Sequence, residues 1–257
     1  MRLRQVALAA RDLDQTVDDL CAVLGLAVGF RDPGVAVFGL ANAVLPVGDT
    51  FLEVVSPVKP DASAERLLVR RGGDAGYMVI VQVADLAAAR ERVAREEVRI
   101  VFEHAHPAGH TATIHLHPRD TGAAILSLDA SDPPESWDWA GPTWQRSVRT
   151  GVVAGLAGAT LASDAPAALA ARWAAILDRP AAALGGELFA IALDGALLRF
   201  ARAGADGEGL VGVDLVEVSR AARARALATA KARGLRVEGE RFWIAGTAIR
   251  LVDAPTP

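Results

Sequence analysis

One supersecondary pattern returns four times along this chain, and a repeat on that scale constrains the fold more than any single motif does. The order is an apolar strand, a capped helix, then short β-type runs. In the first copy Val6–Ala10 reads as a strand and Asp12-Leu13-Asp14 offers helix N-caps. Val17, Leu20, Cys21 and Leu24 follow at helical spacing, and Gly25 ends the helix. Strands are expected at Val35–Leu40, Ala43–Val47 and Phe51–Ser56. A helix over Ser63–Arg71, stopped by Gly72-Gly73, leads to the second copy.

The second copy runs from a strand at Met78–Val83 through a helix capped at Asp85 and ending near Glu96. Its strands are Val98–Phe102, Thr111–His117 and Ala123–Asp129. The third has a strand in Val152–Ala162, a helix start at Ser163-Asp164-Ala165-Pro166 and a helix through Leu177. Its strands Leu188–Leu193 and Ala196–Ala201 turn through Asp194-Gly195, a hairpin signal. The fourth runs from Val211–Val218 through a helix at Ser219–Arg233, ended by Gly234, to Leu235–Val237, Phe242–Ile244 and Ala248–Val252. Between copies two and three, residues 131–147 are rich in proline and carry Trp137, Trp139 and Trp144. This is the linker, and its tryptophans either pack it onto a domain or stack on a substrate. The expected organisation is therefore 1–130, a linker at 131–147, and 148–253.

Composition excludes several classes. Net charge is −4, which leaves no basic footprint for nucleic acid. No apolar run is long enough to span a membrane. The apolar stretch after Met1 meets Arg11 too early for a secretory signal, so a cytoplasmic, reducing setting is expected. A single cysteine, Cys21, rules out an internal disulfide framework and reads as a small buried hydrophobe. No phosphate loop, nucleophile elbow or dinucleotide-binding glycine pattern is present.

Polar residues inside apolar strands carry the remaining information. Glu53 stands between Leu52 and Val54, where an ionised carboxylate needs a partner or water. It is either a site residue or half of a cross-strand ion pair. All five histidines lie between His104 and His117. His104, His106 and His110 read as an exposed loop around Pro107-Ala108-Gly109. His115 sits inside a strand, where an acid/base would be placed. His117, two residues on, either shares its face or belongs to the turn at Pro118.

Three segments resemble the vicinal oxygen chelate superfamily, which includes glyoxalase I, bleomycin-resistance proteins, methylmalonyl-CoA epimerase and extradiol dioxygenases. They are Gln5-Val-Ala-Leu-Ala-Ala-Arg-Asp-Leu-Asp14, Gly48-Asp-Thr-Phe-Leu-Glu-Val-Val-Ser56 and His117-Pro-Arg-Asp-Thr-Gly-Ala-Ala-Ile-Leu-Ser-Leu128. The resemblance implies an α+β fold: four βαβββ modules forming two cup-shaped, glyoxalase-like domains, the second degenerate. It also implies a divalent metal held by first-strand and last-strand side chains of paired modules. Carried over, those positions are Gln5 and Glu53 in module one, and Met78 and Ser127 in module two. A thioether and a neutral hydroxyl are poor ligands for such ions. In the second half the positions are Ala157, Arg199, Gly212 and Arg250, which hold no metal.

Two functional readings follow. In one, the first domain is an enzyme of lyase, isomerase, epimerase or dioxygenase type acting on a small carbonyl or vicinal-oxygen compound. Gln5, Glu53 and His115 then hold one divalent ion (Zn, Ni, Fe or Mn), or Glu53 and His115 form an acid/base pair. Met78, His117 and Ser127 contact the substrate. In the other, the chain is a metal-free binding or resistance protein of the bleomycin-resistance type. Either reading expects a small-molecule ligand, no nucleic acid or membrane, and a monomer or homodimer.

Overall fold

The structure is a computed structural model and describes residues 1–106 and 110–254. In chain order its elements are β1 (Arg2–Ala9), α1 (Leu13–Leu24), β2 (Leu40–Val47), β3 (Thr50–Pro57), α2 (Ser63–Arg71), β4 (Ala75–Gln82), α3 (Leu86–Arg95), β5 (Ile100–Ala105), β6 (Thr111–Leu116), α4 (Pro118–Thr121) and β7 (Ile125–Ser131). There follow β8 (Val153–Ser163), α5 (Pro166–Leu177), β9 (Ala181–Gly185), β10 (Leu188–Leu193), β11 (Ala196–Arg202), β12 (Gly209–Glu217), α6 (Arg220–Ala232), β13 (Val237–Glu238), β14 (Arg241–Ile244) and β15 (Thr247–Val252). Strands β1–β7 lie in a seven-stranded sheet and β8–β15 in an eight-stranded one.

The four copies are explicit in the pairing. In each, the last strand returns parallel to the first: β1 with β3, β4 with β7, β8 with β11 and β12 with β15. Hairpins supply the antiparallel remainder, so both sheets are mixed and the fold is α+β. The caps read at Asp12 and Asp85 act as expected, their side chains accepting from the Gln15 and Ala88 backbone N–H groups, and Gly25 closes α1 at φ 68°. At α5 the expected Ser163-Asp164 cap is not made: the helix opens at Ala165 without a side-chain cap, Pro166 presetting its first turn. Ser219 caps α6, accepting from the Ala222 N–H.

Module one departs from expectation at Val35–Leu40, where a 3-10 helix at Pro33–Phe38 replaces the strand. Asp32 accepts from the Gly34 N–H, Pro33 presets the first turn, and Gly39 ends it at φ 72°. Local turn chemistry outweighs the β-branched composition there. The alanine-rich strand β9, which the sequence reading did not include, is exposed along its whole length.

Packing divides the chain into two compact units that cut across its linear order. One comprises Gln5–Tyr77, Ala140–Ala157 and Gly212–Pro257, hence modules one and four; we call it the Glu53 unit. The other comprises Met1–Arg4, Met78–Trp139 and Gly158–Val211, hence modules two and three; we call it the His115 unit.

In the Glu53 unit, α1 and α6 pack together, and Arg233 of the α6 C-cap pairs with Asp19 at 2.6 Å and with Asp18. The Leu156 N–H donates to Thr50 Oγ1 at 2.9 Å, and Phe51 meets Trp144 edge-on. At Gly48 a Cβ would lie 2.1 Å from the Ala154 carbonyl oxygen, so only glycine fits that turn.

In the His115 unit, α5 reaches across with side-chain donors. Trp173, fully buried, donates through Nε1 to the Thr121 carbonyl at 2.7 Å. Arg172 donates to the carbonyls of Asp120 and Glu96. Linker residues pack here too: Trp137 is buried, with the Arg4 guanidinium over its ring.

Candidate functional site

Glu53 lies on β3 with its side chain on the same face as Ala7, its register partner on β1, and Val44, its partner on β2. It is 8% exposed, and both carboxylate oxygens are engaged. Gln5 Nε2 donates to Oε2 at 2.8 Å and Asn42 Nδ2 donates to Oε1 at 2.7 Å. The Asn42 amide is itself oriented, because the Asp32 backbone N–H donates to its Oδ1 at 2.8 Å. Gln5 and Asn42 are both buried.

No cation pairs with this carboxylate among its hydrogen-bond partners. Burial therefore pushes the Glu53 carboxyl above its usual range, the Asn42 and Gln5 donors pulling against it, with Asp32 adding repulsion. Nearby, Tyr77 hydrogen-bonds Ser63 at 2.7 Å and is held above its ordinary range mainly by burial, with Glu53 adding to the shift. The result is a buried carboxylate held by two amides.

The other sequence-derived residues belong to the His115 unit. Register places Met78, Ser127, His115, Thr113 and Asp129 on one face of β4, β6 and β7. His115 is packed against Phe102 with ring centroids 5.0 Å apart, and burial pulls its pKa down to about 4, so it is a neutral base. Ser127 is fully buried and bonds to Thr113 Oγ1 at 2.8 Å and Asp129 Oδ1 at 2.5 Å. Met78 is buried on β4.

His117 does not continue the strand. It caps α4, its Nδ1 accepting the Arg119 N–H at 3.0 Å, because Pro118 starts a helical turn there. His104 sits exposed on β5 rather than in a loop, and His110 is exposed next to Asp132, whose carbonyl its Nδ1 approaches at 3.0 Å. Pro107-Ala108-Gly109 lies outside the described residues. Cys21 is half-buried rather than buried, with its thiol pushed up by burial and by Asp18, which does not suit a nucleophile.

Two site residues escaped the sequence reading. Asn42 is a lone polar group in the apolar run Leu40–Val47, the criterion that singled out Glu53. Asp129 lies two residues beyond Ser127 on the same face. It is 2% exposed, its Oδ1 accepts from Thr113 and Ser127, and burial pushes its pKa up to about 7.

The donor set around Glu53 does not fit a divalent metal. It offers one carboxylate, whose two oxygens already accept amide N–H bonds, and two amides. Among the described residues no three His, Cys, Asp or Glu side chains are grouped as such a site requires. In the later modules Arg250 closes a bidentate pair with Asp214 at 2.8 and 2.9 Å, which engages that last-strand position.

Comparison with known proteins agrees with this architecture. Over nearly its whole length the chain shares its fold with a hypothetical protein from Staphylococcus aureus, at 11% identity, 98% coverage of both chains and a TM-score of 0.67. Methylmalonyl-CoA epimerase from Streptomyces coelicolor, in complex with 2-nitronate-propionyl-CoA, aligns at 23% identity over 53% of this chain and 99% of that one, with a TM-score of 0.47. The Mycobacterium tuberculosis methylmalonyl-CoA epimerase aligns at 22% identity over 55% and 91%, with a TM-score of 0.46. Among curated proteins none matches. The glyoxalase-like domain family matches residues 6–177, well over half the sequence. By this match and by its fourfold module, the chain belongs to the glyoxalase-like domain family, on a vicinal oxygen chelate fold.

Proposed function

We propose that this chain is an enzyme that moves a proton at the carbon beside a carbonyl of a small molecule, an isomerase or epimerase type of reaction, with Glu53 as the acid/base. The observation that carries the reading is the Glu53 carboxylate, buried, raised in pKa and aimed by the amides of Gln5 and Asn42. A carboxyl raised by burial suits proton transfer from carbon better than an ordinary exposed carboxylate. The C–H proton passes to a Glu53 oxygen and the electron pair delocalises onto the substrate carbonyl; a proton from solvent then adds to the opposite face of that carbon to give the epimer, and Glu53 releases its proton to solvent. No step is routed through a metal, because the donor set fits none. Met78, Ser127 and His115 are assigned to contacts with a small molecule on the face they share. His117 is a weaker contact residue, since its Nδ1 is committed to the α4 cap.

The test is exchange of the α-proton in D2O, followed by proton NMR, for a panel of 2-oxo acids, 1,2-dicarbonyls and 2-substituted acyl thioesters. Enzyme-dependent exchange that disappears in Glu53→Gln, with the fold intact, supports the reading. Saturable binding without exchange in the wild type would instead favour a sequestering protein of the bleomycin-resistance type, which needs no metal either.

A further inference from the structure

A sheet edge left open is a template for another strand, and proteins close such edges by cover, charge or brevity. The two sheets end in β2 and β5, and in β13 and β9. Three of these ends are closed. Outside β2 runs the chain at Gly29 and Phe30: the Gly29 N–H donates to the Val44 carbonyl and the Val44 N–H to the Phe30 carbonyl, each at 2.8 Å. β5 carries His104 and Glu103, the latter paired with Arg90. β13 has only two residues, and its Glu238 is held by Arg236 at 2.7 Å.

β9 is open. It reads Ala181-Ala182-Ala183-Leu184-Gly185, with no charge and no polar side chain. Pairing with β10 satisfies one edge, and among the described residues no strand pairs with the other. Its register on β10 shifts once, where Leu184 is the extra residue, and Ala181–Ala183 pair in regular steps. Alternate residues of that run aim N–H and C=O groups at solvent. All five side chains are exposed, Leu184 at 53%, so the ladder holds this strand and core burial does not. Alanine is a weak strand former, so intrinsic preference does not explain the run either. Small side chains do let another backbone come close.

Charge at the two ends selects the occupant. Asp178 and Arg179 precede the strand, and Glu187 follows it, 3.5 Å from Arg202; all four are exposed. A second copy running antiparallel brings Arg179 of each chain to the Glu187 end of the other, and Asp178 to the Arg202 end. A parallel neighbour sets each of these charges against its like. We propose that β9 is a homodimer interface, two copies joining edge to edge, antiparallel, about a two-fold axis at Ala182. Ala181 then faces the second copy's Ala183, and Leu184 lies beside the second copy's Pro180, apolar against apolar. The contact is isologous and closes at two copies, since β9 is the one edge left open among the described residues. So few residues a side make a small interface, and the dimer is of the reversible, concentration-dependent kind. Nothing in it depends on the role given to Glu53.

The experiment is sedimentation velocity on the full chain across a concentration series reaching about 1 mM. A reversible monomer–dimer equilibrium is expected. Ala182→Lys sets two like charges opposite each other on the axis and should weaken the dimer at least about ten-fold, with the melting temperature unchanged. Glu187→Arg should weaken it too, and adding Arg179→Glu to the same chain should restore it, which a contact elsewhere on the surface would not do. Should Ala182→Lys not fold, Ala182→Cys keeps the test: cysteines on the axis join the chains on oxidation, while the wild type with Cys21 alone stays uncrosslinked. A chain that is monomeric throughout the series, assembly that grows beyond two copies, or a dimer indifferent to a folded Ala182→Lys and to the charge exchange overturns the proposal.

Discussion

Asn42 donates a 2.7 Å hydrogen bond to Glu53 while the Asp32 N–H pins its own amide oxygen at 2.8 Å. The orientation of that amide is thus set by the backbone, and only its N–H edge faces the carboxylate. Replacing Asn42 by Leu leaves one Glu53 oxygen without a donor, at an expected cost of about 1–3 kcal/mol. Asn42→Asp sets a second carboxylate against the first. Its deficit should be largest at neutral pH and shrink in acid, where the pair shares a proton. Thermal melts from pH 4 to pH 8 measure both.

Glu53 itself gives a signed expectation. Its folded pKa is raised, so the associated stability is complete below the ordinary glutamate range and is lost as pH rises through the folded value. Glu53→Gln removes that loss, the Gln5 amide turning to accept. The variant should match the wild type in acid and melt at or above it at pH 7. Calorimetry showing Glu53→Gln several kcal/mol weaker at every pH would mark the group as structural, not functional.

Asp129 and His115 tilt the pH profile of their unit in opposite directions. Asp129 is raised from 3.8 to about 7, so its contribution is lost between roughly pH 4 and 7 as pH climbs. His115 is lowered from 6.5 to about 4, so its contribution holds above pH 6.5 and is lost as pH falls through 4. Asp129→Asn should therefore gain on the wild type above neutrality, and His115→Gln should gain below pH 5. Each pKa unit is worth about 1.4 kcal/mol at most, and both gains should be visible in urea midpoints.

At α5, Trp173→Phe deletes the N–H bond to Thr121 while keeping most of the ring contact with Phe200, whose centroid lies 5.7 Å away. A loss of about 1–3 kcal/mol is expected. Trp173→Ala opens a cavity as well and should cost about 3–5 kcal/mol. Near-neutral results for both would mean that the helix contributes little to its unit.

Cutting the chain in the linker tests how the modules partner. Residues 1–147 keep module one without module four and module two without module three, so each unit is halved. That fragment should be aggregation-prone alone. Coexpressed with residues 148–257 it should copurify as one folded species. A fragment 1–147 that is monomeric and cooperatively folded would show that module pairs along the chain suffice.

The sequence made the local grammar plain and the long-range partnerships obscure. Asp12, Asp85 and Gly25 declare helix ends through chemistry that acts over three or four residues. Asp32-Pro33-Gly34 carried the same kind of signal, but the valines of the following residues read as a strand. Gln5 was recognisable only through the family resemblance, Glu53 also as a carboxylate inside an apolar strand, and they do meet. Asn42 was not, since its role depends on a register between β2 and β3 that composition does not reveal. Asp129 was hidden for a similar reason: its bond to Thr113 depends on the register of β6 against β7. Of the two readings open for His117 the turn at Pro118 is the one the chain adopts, the proline starting a helical turn that the histidine caps.

The nesting of one unit within the other along the chain also sets a timetable. During synthesis the segment 78–211, nearly all of the His115 unit, leaves the ribosome as one block, and it can close as soon as its last strand is out. Gln5–Tyr77 emerges earlier yet must wait for Gly212–Pro257, some ten seconds or more at ordinary translation rates of about 5–20 residues per second. Through that interval the apolar strands β1 and β3 and the partner-facing side of α1 stay uncovered. Module one, though made before its partner by more than a hundred residues, is thus finished only when module four arrives, and it is where a chaperone would have most to hold.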